Sequence, residues 1–404
     1  MTIDTSAVDL HSFDAYENGP DHELFARLRD EAPVFRHEGK NPGEVPWFWA
    51  IMRHADIVSV SRQFQTYSAA KRGVLMNEDR PDMELARMLI DTDPPEHTRL
   101  RTLVNRGFTP SAIKLMSDHY VDVTRQIVAE ALETPEVEFV SNVAAELPLI
   151  AIAEMLGVPV EDRRKVFDWS NQMVGANDPD YAAGPDGGQA AMTELYMYFN
   201  ELGADRRANP RNDIVSILMA AEDGDQLTDH EFNLFTLLLS VAGSETTRNA
   251  ISHGVQAFID FPDQWQLLRS DPSLVDSAVE EILRWATPVN MFRRTATGPV
   301  ELHGVTINED EPVVMIYPSG NRDDRVFENP MTFDITRNPN PHITFGGGGP
   351  HFCLGSNLAR LEMRALFAEL ADKVAVIEPT QPMRRMRSSF LNAIKSLHVS
   401  LTPA

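Results

Sequence analysis

The sequence predicts a mainly α (α+β) protein, its helices gathered about one long central helix and its strands confined to small β-sheets. Three observations lead there. Apolar residues recur at helical spacing through most of the chain beyond residue 96. Strand-like alternation is limited to short runs near residues 47–51, 300–307 and 312–317. Thr228-Asp-His-Glu231 reads as a capping box, and no proline interrupts the helical pattern after it until Pro262.

Residues 1–20 are polar and expected to be loosely held, with residues 1–14 a flexible N-terminus. Residues 23–31 read as a helix ended by Pro33, residues 47–51 as a strand and residues 54–62 as a helix. Between Tyr67 and Pro95 periodicity fades, with Met76, Met83, Met88 and Leu89 scattered among charges, which marks a functional or mobile segment. Asp93-Pro94-Pro95-Glu96-His97 opens the next helix, since proline and acids suit a first turn. On it His97 and Arg101 are four residues apart and share a face, as a solvated pair or as part of a site. Helices follow over residues 110–132 and 142–156. Residues 166–180, with glycines at 184, 187 and 188 beyond, carry Met173 and Val174, which suit packing.

The central helix spans about residues 228–260, long for a globular protein and able to cross the whole molecule. Its middle, Ala242-Gly243-Ser244-Glu245-Thr246-Thr247, is poor in helix formers and interrupts an apolar face through Leu237, Leu238 and Val241. Propensity failing inside a strong element marks a kink or a site, and a site is the better reading. Asp271-Pro272 starts another helix with Val275, Val279 and Ile282 on one stripe. Glu281 and Arg284, three apart on it, can meet, as many surface pairs do. Past Pro288, Val289-Asn290-Met291-Phe292 leads to Arg293-Arg294 and then to the strand-like runs.

Composition narrows the function. The formal net charge of −24 argues against nucleic acid and anionic membrane surfaces. No apolar run reaches the ~18 residues of a membrane span; residues 147–160 come nearest and are broken by Pro148, Glu154 and Pro159. The N-terminus lacks a basic-then-apolar signal, so a soluble, cytoplasmic protein is expected. Cys353 is the only cysteine, which excludes an internal disulfide or a cysteine-based zinc site.

That cysteine lies in the most informative stretch, Pro341-His-Ile-Thr-Phe345, four glycines, then Pro350-His351-Phe352-Cys353-Leu354-Gly355. Leu358, Leu361 and Ala365 mark a helix over about residues 357–370, which puts Cys353 near a helix N-terminus, where free amides favour a thiolate. A phosphate loop would need a Lys-Ser/Thr that is missing, and a dinucleotide loop a final glycine that is missing. A small buried hydrophobe, or a nucleophilic pair with His351, are the other readings of the cysteine taken alone.

Phe345, the glycine run, His351, Cys353 and Gly355 together resemble the haem-binding loop of the cytochrome P450 family. One residue more than usual separates the aromatic from the cysteine, and this longer form resembles actinobacterial members that oxidise steroids and other lipids. The resemblance runs from about Ala15 to the end and implies one catalytic domain over residues 15–404 with the cytochrome P450 fold. It implies haem b (iron protoporphyrin IX), with Cys353 as the iron ligand and Phe345 and Gly355 against the ring. It implies His97, Arg101, Arg294 and His351 as contacts to the haem carboxylates, and Glu245 with Thr246 as the oxygen-activating acid–alcohol pair. Glu281 and Arg284 resemble a structural ion pair under the haem, joined by Arg325 or Arg337. Residues 166–188 look like a lid, and Val241, Ala242, Val289, Asn290, Met291, Phe292, Phe390 and Leu391 are expected to line the substrate pocket. The activity implied is hydroxylation of a lipophile with dioxygen and electrons from a ferredoxin and its NAD(P)H-dependent reductase, docking near Arg99, Arg360 and Arg364. A peroxide-driven peroxygenase or a non-catalytic haem-thiolate sensor would not need the Glu245–Thr246 pair.

Overall fold

The computed structural model describes residues 3–76, 88–181, 187–220 and 227–404. In chain order come α1 (His22–Glu31), β1 (Val34–Glu38), β2 (Trp47–Ile51), α2 (His54–Arg62), β3 (Tyr67–Ser68), α3 (Glu96–Asn105), α4 (Pro110–Leu115) and α5 (Ser117–Leu132). Then follow β4 (Val137–Glu138), α6 (Glu146–Leu156), α7 (Arg163–Val174), α8 (Gly187–Ala208), α9 (Ile214–Met219), α10 (Asp229–Asp260), α11 (Pro262–Ser270) and α12 (Val275–Ala286). The last third holds β5 (Met291–Ala296), β6 (Val300–Leu302), β7 (Val305–Ile307), β8 (Pro312–Ile316), α13 (Tyr317–Gly320), α14 (Ser356–Lys373), β9 (Val374–Pro379), β10 (Arg384–Arg385), β11 (Ile394–Ser396) and β12 (His398–Pro403). The mainly helical class with small sheets is as expected from the sequence. Met83 and Gly184 lie outside the described residues. Among the described residues, no helix is long and apolar enough to cross a membrane.

α10 organises the rest. Both halves of its capping box form, Thr228 Oγ1 accepting from the Glu231 amide and Glu231 accepting from the Thr228 amide. Pro262 at the first turn of α11 stops it, since the ring cannot continue the ladder. The helix runs unbroken through residues 242–247. There the hydroxyls bond to the helix's own backbone: Ser240, Ser244 and Thr246 donate to the carbonyls four residues earlier. Around α10 pack α5, α6, α12 and α14, joining Tyr120, Ile152, Val255, Ile282, Leu366 and Phe367 in one core.

The five-stranded sheet, ordered β1-β2-β8-β5-β3, stands beside this bundle. β2 and β8 are parallel and the other neighbours antiparallel. Two expected elements differ in detail. Residues 110–132 split at Met116 into α4 and α5, and residues 140–144 form a π turn before α6. The loosely held N-terminus is corrected over its described residues. Val8 and Leu10 are buried, the Leu10 amide donates to His37 Nε2, and Asn41 donates to the His11 carbonyl, so side chains of the β1–β2 hairpin hold the segment.

Candidate active site

A cavity of about 240 Å³, partly open to solvent, lies between α10 on one side and the Cys353 loop with α14 on the other. Three of the four glycines have positive φ: Gly346 at 93°, Gly348 at 92° and Gly349 at 79°. The fourth, Gly347, is packed so closely that a Cβ would lie 2.7 Å from the Val58 Cα. The loop is thereby seated on α2, where Ser61 Oγ and Arg62 Nε donate to the carbonyls of Gly348 and Gly347 at 3.0 Å each. The Cys353 amide closes it by donating to the Phe345 carbonyl at 3.0 Å.

Cys353 is exposed and lines this cavity. Burial pushes its thiol pKa up, against the pull of the Gly355 and Ser356 amides and of Arg101 and Arg360. The expectation that the helix start alone favours a thiolate is thus corrected: α14 begins only at Ser356, and burial outweighs its amides. A metal cation in the cavity would supply the missing stabilisation.

Four side chains converge beside the cysteine. Arg101 donates to the Pro350 carbonyl at 2.9 Å and Arg294 to the Arg293 carbonyl at 2.7 Å. Neither guanidinium has a carboxylate at salt-bridge distance among the described residues. The His97 and His351 rings meet edge to face at 4.5 Å, and His351 Nε2 is buried without a partner among the described residues. Burial first, then the neighbouring arginines, hold His97 down at about 4 and His351 at about 2, so both are neutral near pH 7. Two unneutralised cations and two imidazoles in a half-buried recess call for an anion. Gly355 also faces the cavity, and a Cβ there would meet nothing within 4 Å. A soft sulfur donor beside a cationic recess, with free space over the glycine, fits a metal-bearing group that also carries carboxylates.

Buried charge supports the floor. Arg284 grips Glu281 through two bonds at 2.6 and 2.7 Å, both side chains fully buried. Arg337 Nε joins them at 3.1 Å, whereas Arg325 bonds Asp30 and Asp323, which resolves the choice left by the sequence. The Asp334 amide and Asn340 complete the carboxylate's partners, so α12 is tied to the chain leading into the loop.

The opposite wall is apolar, formed by Leu89, Ile90, Ile152, Leu238 and Leu239, with Ala242, Gly243, Thr246 and Thr247 of α10 among its lining. Val289 and Phe292 complete it as expected. Other expected residues are not on the wall among the described residues. Val241 is turned off the face shared by Leu238 and Ala242. Asn290 and Met291 are buried behind it, Met291 in the core with Phe48 and Val314. Phe390 lies in a second layer, its ring 5.5 Å from Phe292, and Leu391 bridges to Val289. Glu245 also stays off the wall: it is buried, ion-paired to Arg248, with Oε1 unpartnered among the described residues. Burial raises its pKa against the opposing pull of Arg248. Arg248 in turn donates to Asn171 Oδ1 of α7 at 2.8 Å. Among the lining residues that escape sequence reading are two polar ones. Tyr317 follows a buried strand, and Glu362 sits one turn from Leu358 on α14 with both oxygens buried and unpartnered among the described residues. Only their helical or strand spacing hinted at them.

Residues 266–400 match the cytochrome P450 family profile. A steroid C26-monooxygenase of Rhodococcus jostii is 45% identical over 407 aligned residues, covering 98% of this chain and 85% of that protein. A methyl-branched lipid omega-hydroxylase of Mycobacterium tuberculosis is 38% identical, covering 98% and 95%. The structure of a Mycobacterium marinum cytochrome P450 in complex with pseudoionone superposes with a TM-score of 0.91 at 38% identity, covering 98% of this chain and 99% of that one. With kinship of this extent joined to a cavity that offers one thiol and a recess for carboxylates, the chain belongs to the cytochrome P450 family and is a monooxygenase with haem b as its cofactor.

Proposed function

We propose that this enzyme hydroxylates an unactivated C–H bond of a steroid, terpenoid or branched lipid, with electrons from a ferredoxin. The observation that carries the substrate class is the apolar wall facing Cys353, where threonine hydroxyls are the polar groups on α10. A substrate with a charged group near the reacting carbon would bury it there unpaired, at a cost of several kcal/mol. The names of the relatives, steroid C26-monooxygenase and methyl-branched lipid omega-hydroxylase, agree with that wall.

Residues 15–404 act as one catalytic unit in this reading, supported by the core cluster that runs from Leu89 to Leu401. Cys353 would hold the haem iron, Arg101, Arg294, His97 and His351 would hold its carboxylates, and Phe345 and Gly355 would pack against it. Bound haem supplies the activation of dioxygen and the oxidising chemistry. Thr246 Oγ1 now donates to the Ala242 carbonyl at 2.9 Å, and a rotation about χ1 would turn that proton toward the cavity. Glu245 lies one residue away with a raised pKa, and release from Arg248 would let its carboxyl hand a proton to Thr246.

With one cysteine, the chain cannot hold an iron–sulfur cluster of its own, which supports a separate ferredoxin and reductase. The arginines expected at the docking face are already engaged: Arg99 with Glu231 at 2.7 Å, Arg360 with Glu280 at 2.6 Å and Arg364 with Asp276 at 2.5 Å. An acidic partner would have to exchange for those carboxylates, most easily at Arg364, whose partner is largely exposed. Arg364→Glu should slow ferredoxin-driven turnover and spare peroxide-driven turnover; equal loss in both would remove it from docking.

The substrate class is tested by titrating the ferric protein with steroids, terpenoids and branched fatty acids while following the Soret band. A saturable shift with lipophiles and none with polar analogues supports the reading. Absence of a shift with every lipophile would overturn it.

A further inference from the structure

The cavity wall at residues 288–292 is backed by the tip of the β10–β11 hairpin. The Asn290 amide donates to the Phe390 carbonyl at 2.8 Å and the Asn392 amide to the Pro288 carbonyl at 2.9 Å. Behind it the hairpin meets the chain that follows α7. Apolar contact there is small: Met386, Leu391 and Ala393 against Val174 and Tyr181. Charge does the rest. Asp178, with no exposed surface, accepts from the Asp180 amide at 2.9 Å and from the Arg387 amide at 2.8 Å. It also accepts from Lys395 Nζ at 3.0 Å on both oxygens. Lys395 reaches Asp180 at 2.8 Å, and Arg384 reaches the same carboxylate at 2.5 Å. At the rim Arg387 pairs with Asp14 of the N-terminal segment and donates to the Asn177 carbonyl at 3.1 Å. Two stretches far apart in sequence are thus joined at one buried carboxylate, and the Arg387 side chain ties in the N-terminal segment.

We propose that Asp178 and Lys395 form an ionic clasp that holds this wall closed and sets the rate at which lipophiles enter and leave the cavity. Asn392 and His253 keep the hairpin tip on α10 and α12, so what charge holds is its seam with the chain after α7. A seam held by charge opens more readily than a core. Exposed pairs such as Asp14–Arg387 and Asp180–Arg384 each contribute little and are screened by salt. The buried Asp178–Lys395 pair contributes most while closed, because parting it strands a carboxylate. Small apolar contact and surface ion pairs are the marks of a segment that opens locally while the core stays folded. The clasp touches neither Cys353 nor the lining of α10, so it is a positioning device. It rests on the reading that the cavity takes lipophiles only for its ligand-exchange arm.

The test uses the haem-loaded protein, Lys395→Met, and the double variant Asp178→Asn/Lys395→Met, which leaves no buried charge unpaired. Stopped-flow Soret changes with clotrimazole give association and dissociation rates, and hydrogen exchange of residues 174–181 and 384–396 is followed without ligand. The clasp predicts that both rates rise at least about tenfold together in either variant, with Kd changed less than about twofold. Amide exchange in the two segments should rise with them while that of α12 and α14 does not. Unchanged rates and unchanged exchange in a variant that folds would overturn it, as would a rise in dissociation alone. Should clotrimazole fail to bind, hydrogen exchange still decides the clasp, and the lipophile reading is left to the Soret titrations.

Discussion

Beneath Cys353 the chain is fixed by backbone geometry and a fully buried ion network, with Glu281 receiving Arg284, Arg337, Asn340 and the Asp334 amide. Across the cavity, at the hairpin and the end of α7, one buried carboxylate holds one largely buried lysine over a small apolar patch, with exposed ion pairs around it. Both regions use carboxylates and arginines, yet burial gives them opposite consequences. Fully desolvated and saturated, the network on α12 is rigid and fails only as a whole. The pair at Asp178 is also buried, but it stands almost alone, and the ion pairs flanking it, Asp180–Arg384 and Asp14–Arg387, are exposed and can part and re-form. A haem protein needs both: a floor that keeps its ligand loop still and a wall that lets substrate through.

The largest effect should follow from breaking the floor. Arg284→Leu would leave Glu281 buried and charged, costing about 3–5 kcal/mol. Urea unfolding and haem content should both collapse; wild-type haem content would show the network dispensable. Next come the residues on α10. Glu245→Gln should slow oxygen consumption by about 10²–10⁴, with product formed per NAD(P)H little changed. Its melting temperature has to be checked alongside, because Arg248 loses its carboxylate. Thr246→Ala should act differently, consuming NAD(P)H quickly while product per NAD(P)H falls several-fold and hydrogen peroxide rises. Normal coupling in that variant would reduce the hydroxyl to its bond with Ala242.

The smallest effect is on pH. In the haem-free protein burial holds His37 and His97 at about 4 and His253 at about 3, below the ordinary 6.5. The unfolded chain then binds more protons than the folded one from pH 6.5 downward. Stability should be flat above 6.5 and fall between 6.5 and 4, by about 1 kcal/mol or more for each histidine. Urea midpoints that stay level over that window would contradict the burial of these rings.

How much of this was legible in the sequence depended on whether backbone or side-chain packing decided the matter. The glycine run, the capping box of Thr228 and Glu231, and the proline at residue 262 dictate backbone, and their elements formed within a residue or two of expectation. The cavity wall was harder. Leu238 and Ala242 line it while Val241 does not, a difference of one residue on a helix that is buried on nearly every face, where periodicity carries no direction. Residues 289–292 do not alternate: Val289 and Phe292 face the cavity while Asn290 and Met291 both turn away from it, because regular strand begins only at Met291. That Glu245 is held by Arg248 was not visible, because i,i+3 pairs are common and only burial gives this one weight.

The most direct measurement is the spectrum of the reduced carbonyl complex of the wild type and of Cys353→Ser. With Cys353 as the axial ligand, the wild type shows a Soret band far to the red of that of histidine-ligated haem, and the variant loses it while its far-UV circular dichroism is kept. The same red-shifted band in Cys353→Ser would contradict the assignment of the cavity floor.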